Sequence, residues 1–421
     1  MSALAQSVRA APGLDIARVR ADFPCLQQTI HGRPLVFLDT AASAQKPAAV
    51  IDAMARVLRE DYANIHRGIY DLSERATELH EGARARVQRF LNAAEAREIV
   101  FTRNATEGIN LVAQSFVRPR VRPGDQVLIT GLEHHANIVP WQLLRDQLDL
   151  ALVVAPINDD GELLLDHFEA LLSERTRLVS ITWVSNALGT VNPVHDIIAL
   201  AHARGLPVLL DAAQAVQHMP VDVRDLDCEF LVFSGHKLYG PSGIGVLYGK
   251  AELLEAMPPY QGGGEMIAAV SYERTEFNEI PYKFEAGTPA IEAAVGLAAA
   301  IDYVDLLGLD NIAAHEAALL AHGTRSLQQI PGLRLVGTAR DKCSVLAFVM
   351  DGAHPQDIGT LLDLDGIAVR TGHHCAQPTI ERLGHNATAR ASIGLYNTQQ
   401  DLDALAAGLH RIAAMFSREV P

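Results

Sequence analysis

The chain has 421 residues, of which 49% are hydrophobic and 20% charged, with a formal net charge of −15. That composition excludes a disordered chain, and the length suits one large and one small domain at roughly 100–200 residues each. The acidic balance excludes nucleic acid as the expected partner, because phosphate binding needs clustered Lys and Arg.

The first ten residues lack the apolar core of a signal peptide. Residues 1 to about 13 read as a loose lead, after which Asp15 caps a short helix from Ile16 to about Asp22, stopped before Pro24. Val36-Phe37-Leu38 is a strand entering the small-residue turn Asp39-Thr-Ala-Ala-Ser43. From there to about residue 250, apolar strands alternate with helical stretches: Glu98–Phe101, Gln126–Ile129, Leu152–Ala155, Leu178–Ile181, Pro207–Leu210 and Phe230–Phe233, with helices such as Thr106–Phe116 and Pro193–Ala203 between them. Strands apolar throughout predict a mostly parallel sheet covered on both faces. Residues 258–290, rich in Gly and Pro, predict loop and hairpin, and a helix over Ile291–Leu307 leads to a smaller α+β part ending in a helix over Leu402–Phe416. No stretch reaches the roughly 20 apolar residues of a membrane span. Four scattered cysteines (Cys25, Cys228, Cys343, Cys375) form neither a disulfide framework nor a zinc knuckle. The expectation is a cytoplasmic protein with no membrane partner and no metal, whose sequons at Asn104 and Asn386 carry no glycan.

Ligands of such sheets sit at the carboxyl ends of strands, where Thr102, His134, Asp211 and Lys237 fall. The strand Phe230–Phe233 ends in Ser234-Gly-His236-Lys237. A lysine becomes a nucleophile for Schiff-base chemistry when desolvation or nearby positive charge lowers its pKa. An aspartate at one strand end and a lysine at another suit a pyridoxal 5′-phosphate site, the acid holding the pyridinium proton and the lysine carrying the aldehyde. Gly243-Ile-Gly-Val-Leu-Tyr-Gly-Lys250 fails as a phosphate loop, because its glycines are one position too far apart and Ala251 replaces Ser or Thr. Thr102-Arg-Asn-Ala-Thr106-Glu-Gly108, where a strand meets a helix, is a better anion site, with either Asn104 or Thr106 as the cap.

The pair His134-His135 follows the strand ending at Ile129. Its side chains point to opposite sides and lack a metal spacing, so a ring stacked on an aromatic cofactor or a structural histidine is expected. In Arg370-Thr-Gly-His373-His374-Cys375 an arginine and two histidines precede a lone cysteine, and positive charge there would stabilise a thiolate. The other three cysteines read as small buried hydrophobes. Arg390 offers a planar fork for a carboxylate.

Together these residues resemble the cysteine desulfurases of the class V aminotransferase family. Asn64-Ile-His66-Arg67-Gly, Ser73-Glu-Arg-Ala-Thr77, Glu133-His-His-Ala-Asn-Ile-Val-Pro-Trp141, Phe284-Glu-Ala-Gly-Thr288-Pro and Arg370-Thr-Gly-His-His-Cys-Ala-Gln-Pro378 are similar to the second, SufS-type group, which includes selenocysteine lyase-like enzymes. The likeness runs from about residue 14 to 416. It implies the α/β fold of the fold type I, aspartate aminotransferase-like enzymes that use pyridoxal phosphate. An N-terminal segment (1–30) would pack with the small domain, a large cofactor domain would span 31–305, and a small α+β domain (306–421) would carry the cysteine loop.

The resemblance also implies roles. Lys237 would bind the cofactor and move protons, with Asp211 on the pyridinium nitrogen, Gln214 on the ring hydroxyl and His134 stacked on the ring. Thr106, Ser234 and His236 would hold the phosphate, with Thr288 reaching across from a second subunit of a homodimer. Arg390, helped by Asn186 and Arg370, would bind the substrate. Cys375 would take sulfur from L-cysteine as a persulfide, releasing L-alanine and passing the sulfur to an acceptor of the SufE or SufU kind for iron–sulfur cluster assembly. The alternative is a selenocysteine lyase releasing selenide and alanine from L-selenocysteine. One departure is Ala290, where the family often has Asn. The Gly262–Met266 segment matches a loop that could gate access, and His354 reads as a surface histidine.

Overall fold

Strands apolar on both faces build the large sheet. The computed structural model describes residues 14–416, so the expected loose lead lies outside the described residues. Helix α1 (Ile16–Ala21) starts where the Asp15 carboxylate accepts the Arg18 N–H at 3.1 Å. After the long helix α2 (Asp71–Phe90) come β1 (Ile99–Thr102), α3 (Ala105–Leu111), β2 (Gln126–Thr130), β3 (Ala151–Ala155), β4 (Thr176–Thr182), β5 (Val208–Asp211), β6 (Phe230–Ser234) and β7 (Gly245–Gly249). They form one sheet in the order β1-β7-β6-β5-β4-β2-β3. All neighbours from β6 to β3 are parallel, whereas β7 is antiparallel to both β6 and β1. In β6, Phe230 and Val232 enter one apolar cluster while Leu231 and Phe233 enter the other. Leu209 in β5 and Leu247 in β7 oppose their own neighbours in the same way. Both faces are therefore core, as uniformly apolar strands require.

Strand β7 falls within the Gly243–Lys250 segment that fails as a phosphate loop, and it is not among the strands named from the sequence. Gly245 answers to a close approach, because a Cβ there would lie 2.5 Å from the Asn104 Cα and 2.7 Å from its carbonyl carbon. We predict that Gly245→Ala destabilises the protein by about 1–3 kcal/mol, as overpacking against backbone does. A thermal melt checks this, and an unchanged midpoint would mean that the Asn104 turn yields freely.

Helix α4 (Ile291–Leu307) is followed at once by α5 (Leu309–Gln328), then β8 (Leu333–Val336), β9 (Val345–Met350), β10 (Arg370–Gly372), β11 (Thr388–Ser392) and α6 (Gln399–Phe416). The four strands form an antiparallel sheet in the order β8-β9-β11-β10. Leu346 and Phe348 of β9 pack with Leu319 of α5 and with Leu405 and Leu409 of α6. Ala347 and Val349, on the other face, pack with Leu132, Ile157 and Leu188 from the loops of the large sheet and with Ala376 and Ile380. The segment just after Cys375 is thus held between the two sheets. Near the start of the chain, Phe23 is fully buried and meets Tyr239, Tyr303 and Tyr396 edge-on. Val36–Phe37 pairs in parallel with Ile367–Ala368. No helix among the described residues is long and apolar enough to cross a membrane, and no group of three or more metal-ligating side chains occurs among them.

Candidate active site

Parallel neighbours bring their carboxyl ends to one edge, and there Asp211 ends β5 and Ser234 ends β6. A cavity of about 260 Å³ opens at this edge, and Thr106, His134, Asn186, Asp211, Ser234, His236, Lys237, Arg370, Cys375 and Arg390 all line it. Gln214 lies just behind, its Nε2 donating to the carbonyl of Ala41, a residue of the cavity wall, at 2.6 Å. Thr288 is elsewhere: it lines a separate cavity of about 330 Å³ with Thr102, Glu107, Gly243 and Gln261. Within one chain it does not join the other predicted residues.

Lys237 closes a 3₁₀ turn, Gly235–Lys237, directly after β6. Burial and the nearby Arg390 and Arg370 cations lower its ammonium to about 8, against the opposing pull of Asp211. Burial raises Asp211 above the usual carboxylate range, although Lys237 and the Ala213 N–H on Oδ1 at 3.0 Å favour its anion. His134 accepts the Ala136 N–H on Nδ1 at 3.0 Å. Burial and then Lys237 push its pKa down to about 3. The ring is therefore neutral, with its proton on Nε2. The turn beneath it is held by buried Glu133, which accepts from Asn137 at 2.7 Å and from the Thr182 N–H at 3.1 Å, and which burial raises to about 7.

At the other end of the cavity, Asn104 is the cap of α3, its Oδ1 accepting the Glu107 N–H at 2.9 Å. That resolves the choice between Asn104 and Thr106 and leaves Thr106 exposed along the cavity wall. Ser234 Oγ accepts the Ala105 N–H at 2.9 Å, tying β6 to the start of this helix. His236 Nδ1 lies 3.2 Å from Ser43 Oγ, and its carbonyl accepts from Lys46 Nζ at 3.0 Å. Burial, Lys237 and Lys46 lower the His236 pKa to about 4.

The third wall is cationic. Register places Arg370 of β10 directly opposite Arg390 of β11, and like charges so placed repel. Arg390, only 1% exposed, donates Nη2 to Asp39 Oδ1 at 2.9 Å and Nη1 to the Asn186 carbonyl at 2.7 Å. Its Nε, like Asn186 Oδ1, is buried without a hydrogen-bond partner among the described residues. Arg370 Nη2 lies 3.9 Å from Cys375 Sγ. His374 and Cys375 both have left-handed backbones, with φ of 55° and 58°, a costly state for residues with a side chain. The expectation of histidine charge at the thiol is corrected for His374. Its Nε2 faces Thr388 Oγ1 at 2.8 Å, and burial with the two arginines holds its pKa near 3, so it is neutral. Asp39 was missed in the sequence, whose only signal was a small-residue turn after a strand.

Pyridoxal 5′-phosphate fits this donor set. A buried amine of lowered pKa, a buried acid, a neutral imidazole and a group of hydroxyl and helix-start N–H donors share one cavity with an anion-seeking arginine pair. The model of the aminotransferase class-V family matches residues 36–405. A cysteine desulfurase of Dickeya dadantii is 55% identical over 398 residues, covering 94% of this chain and 96% of that protein. One from Synechococcus elongatus is 54% identical over 96% of this chain, which spans 64% of that relative's length. The crystal structure of the cysteine desulfurase CsdA (S-sulfonic acid) from Escherichia coli is 40% identical, with a TM-score of 0.89 over 96% of this chain and 99% of that one. With Lys237, Asp211 and Cys375 drawn into one cavity and this likeness over residues 36–405 and beyond, the protein belongs to the class V aminotransferase family, in its cysteine desulfurase branch.

Proposed function

We propose that this protein is a pyridoxal phosphate-dependent cysteine desulfurase that converts L-cysteine to L-alanine and keeps the sulfur on Cys375. The observation that carries the reading is Cys375, in a left-handed loop, lining the same cavity as Lys237 and the arginine pair. An aminotransferase or a carbon–carbon lyase on this fold would leave that thiol without a task. The bound cofactor supplies an electron sink that makes carbanion character at the substrate accessible. Asp211 would hold a proton on the ring nitrogen, Gln214, behind the cavity wall, would be the partner for the ring hydroxyl, and His134 would be the residue against the ring. Thr106, Ser234 and His236, which line the same cavity, would hold the phosphate. Arg390 takes the substrate carboxylate bidentately, with Arg370 and Asn186 beside it. Lys237 carries protons to and from the substrate carbons. The Cys375 thiolate attacks the substrate sulfur: a sulfur–sulfur bond forms, the carbon–sulfur bond breaks, and its electron pair stays on the carbon that becomes the alanine methyl group. Splitting the transfer in two through a covalent persulfide lowers each barrier.

The same reading includes a homodimer, in which Thr288 completes the phosphate site of the partner, and a division into a large domain to about residue 305 and a small one after it. It also includes a cytoplasmic location and an acceptor of the SufE or SufU kind that takes the persulfide sulfur towards iron–sulfur clusters. The test is alanine released by the purified protein with excess reductant, on L-cysteine and L-selenocysteine in parallel. Alanine from L-cysteine is the expected result. Alanine from L-selenocysteine alone would move the assignment to a selenocysteine lyase, and none from either would overturn both.

A further inference from the structure

His134 and His135 are neighbours in sequence and do different work. His134 lines the cofactor cavity, whereas His135 faces the loop that carries the thiol. The His135 backbone N–H donates to the Cys375 carbonyl at 2.7 Å. Its ring Nε2 accepts the Gln377 N–H at 3.1 Å. Gln377 opens the short helix Gln377–Arg382, so this N–H has no partner within its own helix and needs one from outside. The two bonds bracket Ala376, which is itself buried between the sheets. They hold a stretch whose preceding residues, His374 and Cys375, sit at positive φ. Such a conformation persists only where the surroundings over-determine it. Accepting on Nε2 requires a neutral ring, and burial and His373 lower the His135 pKa in that direction.

We propose that His135 is a positioning residue that clamps the Cys375 loop, its ring accepting from Gln377 while its N–H holds the Cys375 carbonyl, so that the thiol stays in the cavity it shares with Lys237. The inference rests on the desulfurase reading above for its effect on turnover, but not for the clamp itself. The variants are His135→Leu, which removes the ring acceptor at similar size, His135→Asn, which stays polar but falls short of Gln377, and His135→Gln, whose Oε1 can replace Nε2. The first readout needs no substrate: the rate at which iodoacetamide alkylates Cys375 in the holoenzyme, followed by mass spectrometry of its peptide. The second is the visible spectrum of the bound cofactor, and the third is alanine release from L-cysteine.

The expected result is faster alkylation in the Leu and Asn variants with an unchanged spectrum. Alanine release falls about tenfold or more, as a displaced reacting group requires, and both rates are largely restored in His135→Gln. Wild-type alkylation in folded Leu and Asn variants would overturn the clamp. So would a Gln variant as defective as the Leu one, or a shifted cofactor spectrum, which would mean that His135 acts through the ring site. If the wild type released no alanine, the desulfurase reading would fail and the alkylation rates would still decide the clamp.

Discussion

Lys237→Ala is expected to remove the yellow colour of the holoenzyme after dialysis and to lower alanine release by on the order of 10³-fold or more, as loss of a covalent catalyst does. Lys237 is the lysine that lines the cavity at the end of β6. Its neighbour Lys46 instead spends its ammonium on the carbonyls of Ala44 and His236. The same environment makes a pH prediction for the wild type. Only the neutral amine adds to an aldehyde, and burial with Arg390 and Arg370 brings the Lys237 pKa down to about 8. The neutral fraction rises about tenfold per pH unit below that value and levels off above it, whereas an unperturbed lysine would keep rising to about 10.4. Cofactor uptake by the apoprotein, followed by absorbance, should therefore climb towards about pH 8 and then flatten. Stability of the apoprotein has the same origin: the unfolded chain binds this proton up to its higher pKa, so this residue's contribution improves as pH rises from about 8 to about 10.4. Uptake still climbing beyond about pH 10, or a variant that stays yellow, would mean that another lysine holds the cofactor.

What the chain reveals by eye follows the range of the interaction involved. The parallel strands were legible because each is apolar on both faces, a property of a few consecutive residues. Their carboxyl ends then pointed to Asp211 and Lys237 without any tertiary information. Strand β7 was not legible, since Gly245 answers to the Asn104 backbone packed against it and not to a local turn. The cap at Asn104 was undecidable for a similar reason. Two polar residues two positions apart can each cap a helix, and only the Glu107 N–H reaching Asn104 Oδ1 decides between them.

The cationic wall shows the limit most clearly. Arg370 and Arg390 each carry a sequence signal, but their adjacency is a matter of register between β10 and β11. The carboxylate that offsets them, Asp39, lies far away in the chain and meets Arg390 only through the fold. The charge on His374 could not be read from its neighbours either, because burial, the largest influence on it, depends on the packing of the whole loop. Pairwise proximity in sequence had suggested a cationic histidine, and desolvation makes it neutral. Arg370 then supplies a fixed positive charge within 4 Å of the thiol, at 3.9 Å from Sγ.

Cys375→Ala should bind cofactor normally and lose alanine release from L-cysteine by on the order of 10³-fold, because no other thiol can take its place. Cys228 is fully buried, and burial drives its pKa far above the range in which a thiolate forms. Burial pushes Cys343 up to about 12. Cys25 lies in the 3₁₀ turn Pro24–Gln27, where Gln28 Nε2 donates to its sulfur at 3.3 Å, and it does not line the cavity. Reactivity follows thiolate character and access, and among these four only Cys375 combines an arginine within reach of its sulfur with a place in the cavity. Single turnover without reductant, followed by alkylation and peptide mass spectrometry, should find one extra sulfur on the Cys375 peptide of the wild type. An extra sulfur on another cysteine, or wild-type alanine release in Cys375→Ala, would remove Cys375 from the reaction. A silent variant that still changes its cofactor spectrum on adding L-cysteine would place the lost step after substrate binding, as the role proposed for the thiol requires.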